Sequence, residues 1–196
     1  MGIKSSITGS LRRAGENIGN LIYPNVCLHC EGIGENGIDL CGRCYENLPW
    51  NQAACKRCAL PLPSGDAESC GACSKRELYF DHATAAFQFE GFIQDAVYQF
   101  KFNQKLNQGK LLAQLLLSHV KANVIETPDI IIPVPLHKNR IRQRGYNQAL
   151  EIARIISVNL GCELSYNEIF RNRDTSVQME LPAKQRAKNV LSLIHI

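Results

Sequence analysis

Eight of the nine cysteines in this 196-residue chain lie between positions 27 and 73, in four C-x-x-C pairs: Cys27/Cys30, Cys41/Cys44, Cys55/Cys58 and Cys70/Cys73. A C-x-x-C turn brings two thiolates close enough to share one metal ion. Two such turns supply the four-thiolate tetrahedral shell of a zinc site, and four supply two sites. Ten residues separate the first two pairs and eleven the last two. Disulfides are the competing reading, but nothing marks the chain as secreted, and cytosolic thiols stay reduced. A thioredoxin-like redox motif needs one pair, not four. Sequential grouping puts Cys27, Cys30, Cys41 and Cys44 on one ion and Cys55, Cys58, Cys70 and Cys73 on the other. Sequential grouping is the simplest, and spacing alone does not exclude a cross-braced one, first pair with third and second with fourth. Either way no coordination position is left for a substrate, so the sites are structural. The segment is rich in Gly and Pro, and metal-binding energy would be its folding energy. His29 reads as a surface residue, and the lone Cys162 as a buried or half-buried thiol.

A second concentration of chemistry lies at "HKNRIRQRGYNQA", where Arg140, Arg142 and Arg144 stand on alternate positions. Guanidinium forks match phosphate oxygens in pairs, and Lys138 adds a point charge. Gly145 lets the backbone turn tightly or approach a ligand. A further basic cluster, Arg171, Arg173, Lys184, Arg186 and Lys188, follows within residues 171–188. The overall charge of +4 is too small to be a nucleic-acid signature by itself.

The elements that must position these residues follow from periodicity. The aromatic stretch "FDHATAAFQFEG" predicts a strand over 82–89. "FIQDAVYQFKF" places Ile93, Val97 and Phe100 on one helical face, and 108–123 predicts a second helix. "DIIIPVPL" reads as a central parallel strand buried on both faces. "NQALEIARIISVNLG" predicts a helix with Ala149, Ile152, Ala153 and Ile156 inward and Gly161 as its C-cap. "CELSYNEIF" is a further strand candidate. This order argues an α/β fold with right-handed crossovers, joined to the cysteine module near residues 74–80. The basic stretch then forms a loop at the carboxyl end of a buried strand, where open α/β sheets bind ligands. No stretch approaches the roughly 18 apolar residues that span a bilayer. The polar N-terminus lacks the apolar core of a secretory signal, and its M-G-x-x-x-S match to a myristoylation pattern is too loose to carry a reading. The expected location is cytoplasmic.

Two long motifs, "RxRGYNQ" and "RxRxTxxQxxLxxxxRxxNV", behind a double C-x-x-C module, resemble the ComF family over about Pro24 to Val190. Its members are bacterial phosphoribosyltransferase-like proteins linked to competence and DNA uptake. The resemblance implies a polar leader at 1–23, a double zinc ribbon at 24–76 with two structural Zn²⁺, and a type I phosphoribosyltransferase-like domain over 77–190. It implies that the loop after "PVPL" faces pyrophosphate through His137, Lys138 and Arg140, braced by Arg144, Asn147 and Gln148. Arg140 and Arg144 are expected to contribute most to binding. Arg171, Arg173, Thr175, Gln178, Leu181, Arg186 and Asn189 correspond to the family's flexible segment over the site. Family members continue into an acidic "VDDVxTTGAT" loop that holds the ribose phosphate, and this sequence contains no such motif. Leu191 to Ile196 therefore reads as an atypical tail from a truncation or frameshift. Mg²⁺ with phosphoribosyl pyrophosphate is expected only in an intact member. This chain is expected to be inactive and poorly soluble, its Ile130/Ile132 face short of cover.

Three function classes follow: a binder or transferase of phosphoribosyl pyrophosphate or a similar phosphorylated molecule, a single-stranded-DNA-handling protein, and an interaction module for a partner such as a competence helicase. For the second stand the basic clusters, Lys56, Arg57, Lys75 and Arg76 in the cysteine module, and Tyr146 as a base-stacking ring. No catalytic base and no acceptor substrate are legible.

Overall fold

The computed structural model describes residues 24–63, 68–75, 78–123, 126–174, 182 and 194–195. The chain divides into two compact units, Met1–Leu48 and Pro49–Ile196.

In the first unit, Cys27 and Leu40 form the buried centre. The Cys27 N–H donates to the Gly32 carbonyl at 2.7 Å, and the Glu31 N–H donates back to the Cys27 carbonyl at 2.9 Å. Glu31 closes this knuckle in the left-handed region, with φ 62°. Helix α1, Gly42–Glu46, follows, and the Glu35 carboxylate accepts from its Gly42 N–H at 2.9 Å.

The second unit opens by repeating the same knuckle. The Cys55 N–H donates to the Leu60 carbonyl at 2.9 Å and the Ala59 N–H to the Cys55 carbonyl at 2.8 Å. Ala59, at φ 59°, takes the place Glu31 has in the first. Flanking bridges Val26↔Ile33 and Ala54↔Pro61 occupy equivalent positions. The repeat therefore extends from cysteine spacing to backbone hydrogen bonding.

The rest of the second unit is built on three helices: α2 Gly91–Phe102, α3 Leu106–Asn123 and α5 Gln148–Leu160. The apolar stripe of α3 is buried at Leu111, Ala113 and Leu115, and α3 packs on both α2 and α5. Gly109 is required at the α2–α3 crossing, because a Cβ there would run into the Phe100 ring. α5 ends at Gly161, left-handed at φ 73°, as its sequence predicts.

The strands depart from expectation. Residues 82–89 form no strand; their ladder is reduced to the single bridge Trp50↔Phe87, with the two rings 4.6 Å apart. In "DIIIPVPL" only β1, Ile130–Ile131, is a strand. It pairs in parallel with β2, Glu163–Leu164, in the register Ile130↔Glu163 and Ile131↔Leu164. Pro133 and Pro135 lack the N–H that would extend the ladder. The doubly buried strand is also corrected: Ile130, Ile132 and Val134 are 42%, 47% and 64% exposed, while Ile131 is half-buried and Pro133 buried. That alternation belongs to a strand with one covered face, and among the described residues β1 has no second neighbour. β3, Phe170–Arg171, pairs antiparallel with β4, Ile194–His195. The result is a mixed helix–strand fold with a small parallel sheet. Among the described residues no helix is long and apolar enough to cross a membrane.

Candidate functional site

The thiols fall into two groups of four, Cys27/Cys30/Cys41/Cys44 and Cys55/Cys58/Cys70/Cys73, with all Sγ atoms of a group within 4.8 Å of one another. The grouping is thus sequential, which spacing alone leaves open. Zinc–thiolate bonds of about 2.3 Å arranged tetrahedrally place sulfurs about 3.8 Å apart. Cys30 and Cys41 are at 3.7 Å, and Cys58 and Cys70 also at 3.7 Å, so both clusters fit Zn²⁺. No cysteine is in a disulfide among the described residues.

The electrostatics of the bare thiols agree. Burial opposes ionisation of Cys27, yet N–H groups of Cys30, Cys41 and His29 pull its pKa down to about 6. The Cys70 and Cys58 N–H groups do the same for Cys55, also to about 6. The last proton of each cluster is held instead: hydrogen bonding to Cys58, then burial, pushes Cys73 up to about 12, and burial first of all raises Cys44. Four thiolates this close repel unless a cation sits among them. The clusters differ in burial. Cys30 is exposed and Cys41 and Cys44 are half-buried, whereas Cys55, Cys70 and Cys73 are buried and pack with Leu62 and Leu78.

The second site lies beyond the carboxyl end of β1. The stretch read as a loop is a short helix, α4, Lys138–Arg144. His137 caps it, its Nδ1 accepting from the Asn139 N–H at 3.3 Å. Gly145, left-handed at φ 83°, ends it. The helix separates the alternating arginines: Arg140 and Arg144, four apart, share a face, and Arg142 is exposed on another. The position after an apolar strand suggests a loop, and the caps His137 and Gly145 mark it instead as helical.

A cleft of about 500 Å³ opens beside α4, lined among others by His137, Lys138, Asn147, Tyr166 and Arg171. Arg140 and Arg144 do not line it. Arg144 donates to Gln148 Oε1 at 3.2 Å and lies over the Phe102 ring, 5.2 Å from its centroid. Burial, then the charge of Arg140, lowers its pKa. Asn147 caps α5 by accepting from the Ala149 N–H at 3.0 Å and ties it to the β1 extension by donating to the Val134 carbonyl at 3.1 Å. Tyr146 is no open stacking ring: it packs on Phe100 at 5.3 Å, and its hydroxyl donates to the Phe100 carbonyl at 2.5 Å. The fold does bring the two basic motifs together. Asp174, between Arg173 and Thr175, accepts from Asn139 Nδ2 at 2.9 Å. Asn139 and Asp174 were not among the sequence-predicted residues, since neither carries the charge expected of a phosphate ligand. Arg173 is exposed and outside the cleft lining; Thr175, Gln178, Leu181, Arg186 and Asn189 lie outside the described residues. Among the described residues no carboxylate lines the cleft.

Comparison with known proteins adds what geometry cannot. Residues 18–74 match the double zinc ribbon domain model. The chain is 31% identical over 171 residues to competence protein F of Haemophilus influenzae, covering 84% of this chain and 73% of that protein. It is 26% identical over 177 residues to the DNA utilization protein YhgH of Escherichia coli (strain K12), covering 87% of this chain and 77% of that one. The Salmonella typhimurium protein of the same name is 26% identical over 175 residues, with the same coverage. No solved structure matches. With a relative of this identity matched along most of both chains, and a double zinc ribbon ahead of the α/β part, the chain belongs to the competence protein F (ComF) family.

Proposed function

We propose that this protein acts in the uptake or use of DNA in a cytoplasmic setting, and that its cleft beyond β1 receives a phosphorylated ligand. The names of its relatives support the first part. The second is carried by one observation: the described lining contains His137, Lys138 and Arg171 and no acidic residue. Such a cleft favours an anion, and the resemblance to type I phosphoribosyltransferases makes phosphoribosyl pyrophosphate the first ligand to try. In this reading His137, Lys138 and Arg171 meet the phosphates in the cleft, while Arg144 and Asn147 hold α4 and α5 in place. Arg173, Gln178 and Arg186 are proposed to close over the ligand. The two cysteine clusters hold structural Zn²⁺.

Calorimetric titration of the full chain with phosphoribosyl pyrophosphate tests this. A charge-assisted hydrogen bond contributes about 1.5–3 kcal/mol, so Arg171→Ala and Lys138→Ala should each weaken binding by roughly ten- to a hundredfold. Undiminished affinity in both folded variants would defeat the reading.

A second reading, single-stranded DNA binding, is favoured by a different observation. Tyr98 and Phe102 are exposed with their rings 5.0 Å apart, and Arg144 lies over Phe102. Bases stack on such rings while cations hold the backbone, although Asp95, also exposed on α2, works against it. Oligonucleotide anisotropy decides: Tyr98→Ala with Phe102→Ala should abolish a salt-sensitive binding signal, and an unchanged signal would remove the rings from the account.

A further inference from the structure

The basic motif that follows β2 carries one acid, Asp174, and the fold delivers it to α4. Its Oδ2 lies 2.9 Å from Asn139 Nδ2 and 3.6 Å from His137 Nδ1. Its Oδ1 lies 3.6 Å from Arg140 Nε. These are side-chain groups on one turn of α4, arranged around two oxygen atoms of a single anion. His137 Nδ1 already accepts from the Asn139 N–H. In that role it has no proton to give, so Asn139 and Arg140 hold the carboxylate.

We propose that Asp174 is an internal anion filling a phosphate position at Asn139 and Arg140, and that a phosphate-bearing ligand binds there by displacing it. The proposal rests on the phosphate reading of the cleft and adds a phosphate position beside it, since Asn139 and Arg140 directly follow the lining residues His137 and Lys138. Carboxylate and phosphate present the same chemistry to an amide and a guanidinium. The carboxylate is held loosely enough to exchange. Its contact with Arg140 is longer than the roughly 2.7–2.9 Å of a tight charge-assisted bond, and its side chain is 39% exposed. The groups around it nonetheless stabilise a negative charge: the Asn139 hydrogen bond foremost, then the charges of Arg140 and Arg171, against burial, hold its carboxyl below the usual range. Arg171 and Asn172, close before it in the chain, line the cleft. Release of Asp174 would therefore move the cleft rim with it, coupling the anion at α4 to the shape of the site.

An ordinary structural ion pair and a displaceable internal anion predict opposite signs for one variant. Asp174→Asn keeps an oxygen that accepts from Asn139 and removes the competing charge. Titrating the full chain with inorganic pyrophosphate, we expect this variant to bind about fivefold or more tightly than the parent. The control Glu151→Gln removes the same charge from α5, where it pairs with Arg154 at 2.7 Å, and should leave affinity within twofold. Parent-like or weaker binding by Asp174→Asn overturns the proposal, because the acid is then a brace. An equal gain in both variants also overturns it, because the effect is then only net charge. If neither the parent nor Asp174→Asn binds pyrophosphate while both retain helical circular dichroism, the phosphate reading itself falls and this proposal with it. Binding by the parent without a gain in the variant removes the internal anion alone.

Discussion

The two zinc sites should respond differently to removal, because each folds a different unit. Consider Cys27→Ser/Cys41→Ser against Cys55→Ser/Cys70→Ser. Each pair deletes half of one thiolate shell, so each variant should carry one zinc where the parent carries two. Apparent metal-binding energies of about 10–16 kcal/mol exceed what a small ribbon can replace by other contacts. The first cluster lies in Met1–Leu48 and the second in Pro49–Ile196, together with α2, α3 and α5. Three backbone hydrogen bonds join the second ribbon to the segment entering α2: Asn51 N–H to Ala86, Gln88 N–H to Pro49 and Ala83 N–H to Arg57, at 2.8–3.0 Å. At about 1 kcal/mol each, with a Trp50–Phe87 ring pair of about 1 kcal/mol, the helical unit stands to lose about 4 kcal/mol. For a unit of about 150 residues each kcal/mol moves the midpoint by roughly 2–4 °C, so the loss is about 8–16 °C. Ellipticity at 222 nm reads this directly, since the three long helices all belong to the second unit. Elemental analysis supplies the zinc count. The first-site variant should melt like the parent, and the second-site variant well below it. Equal midpoints for the two one-zinc variants would refute the assignment of the second ribbon to the helical unit.

Gly109→Ala should destabilise by up to about 2 kcal/mol, because overpacking against Phe100 at about 1–3 kcal/mol is set against roughly 1 kcal/mol of helix propensity; a higher melting point would show that the crossing is slack. Tyr146→Phe should lose about 1 kcal/mol by removing the donor to the Phe100 carbonyl. Burial, then Glu151, raises the Tyr146 pKa, so the folded state keeps the proton longer and stability falls as pH rises above about 10. Melts from pH 8 to 11 should show a smaller alkaline loss in Tyr146→Phe than in the parent. The Asp174 carboxyl is depressed in the folded state, so its contribution is complete above about pH 4 and is lost as pH falls through the folded value. Asp174→Asn should remove that acid-side dependence, and an identical acid profile in both proteins would show that the carboxylate is not held.

The sequence by itself determined whatever depends on neighbours along the chain. Four C-x-x-C pairs specify two four-thiolate sites because each knuckle is closed by hydrogen bonds five residues apart or fewer. α2, α3 and α5 were legible because their apolar stripes repeat at the helical period, and Gly161 because only a residue tolerant of positive φ ends α5 this way. Tertiary structure decided what depends on partners distant in sequence. An apolar run such as Ile130–Val134 states that it can be buried, but not on how many sides; that is set by the strand paired with it and interrupted by Pro133. The stretch with the alternating arginines lies between an apolar strand and a helix, a place that suggests a loop, and its seven-residue helix is delimited by His137 and Gly145. The sequential grouping of the thiols, the enclosure of Tyr146 by Phe100 and the approach of Asp174 to Asn139 each join residues 11 or more positions apart. No local periodicity encodes such meetings; they arise only when the helices and ribbons pack.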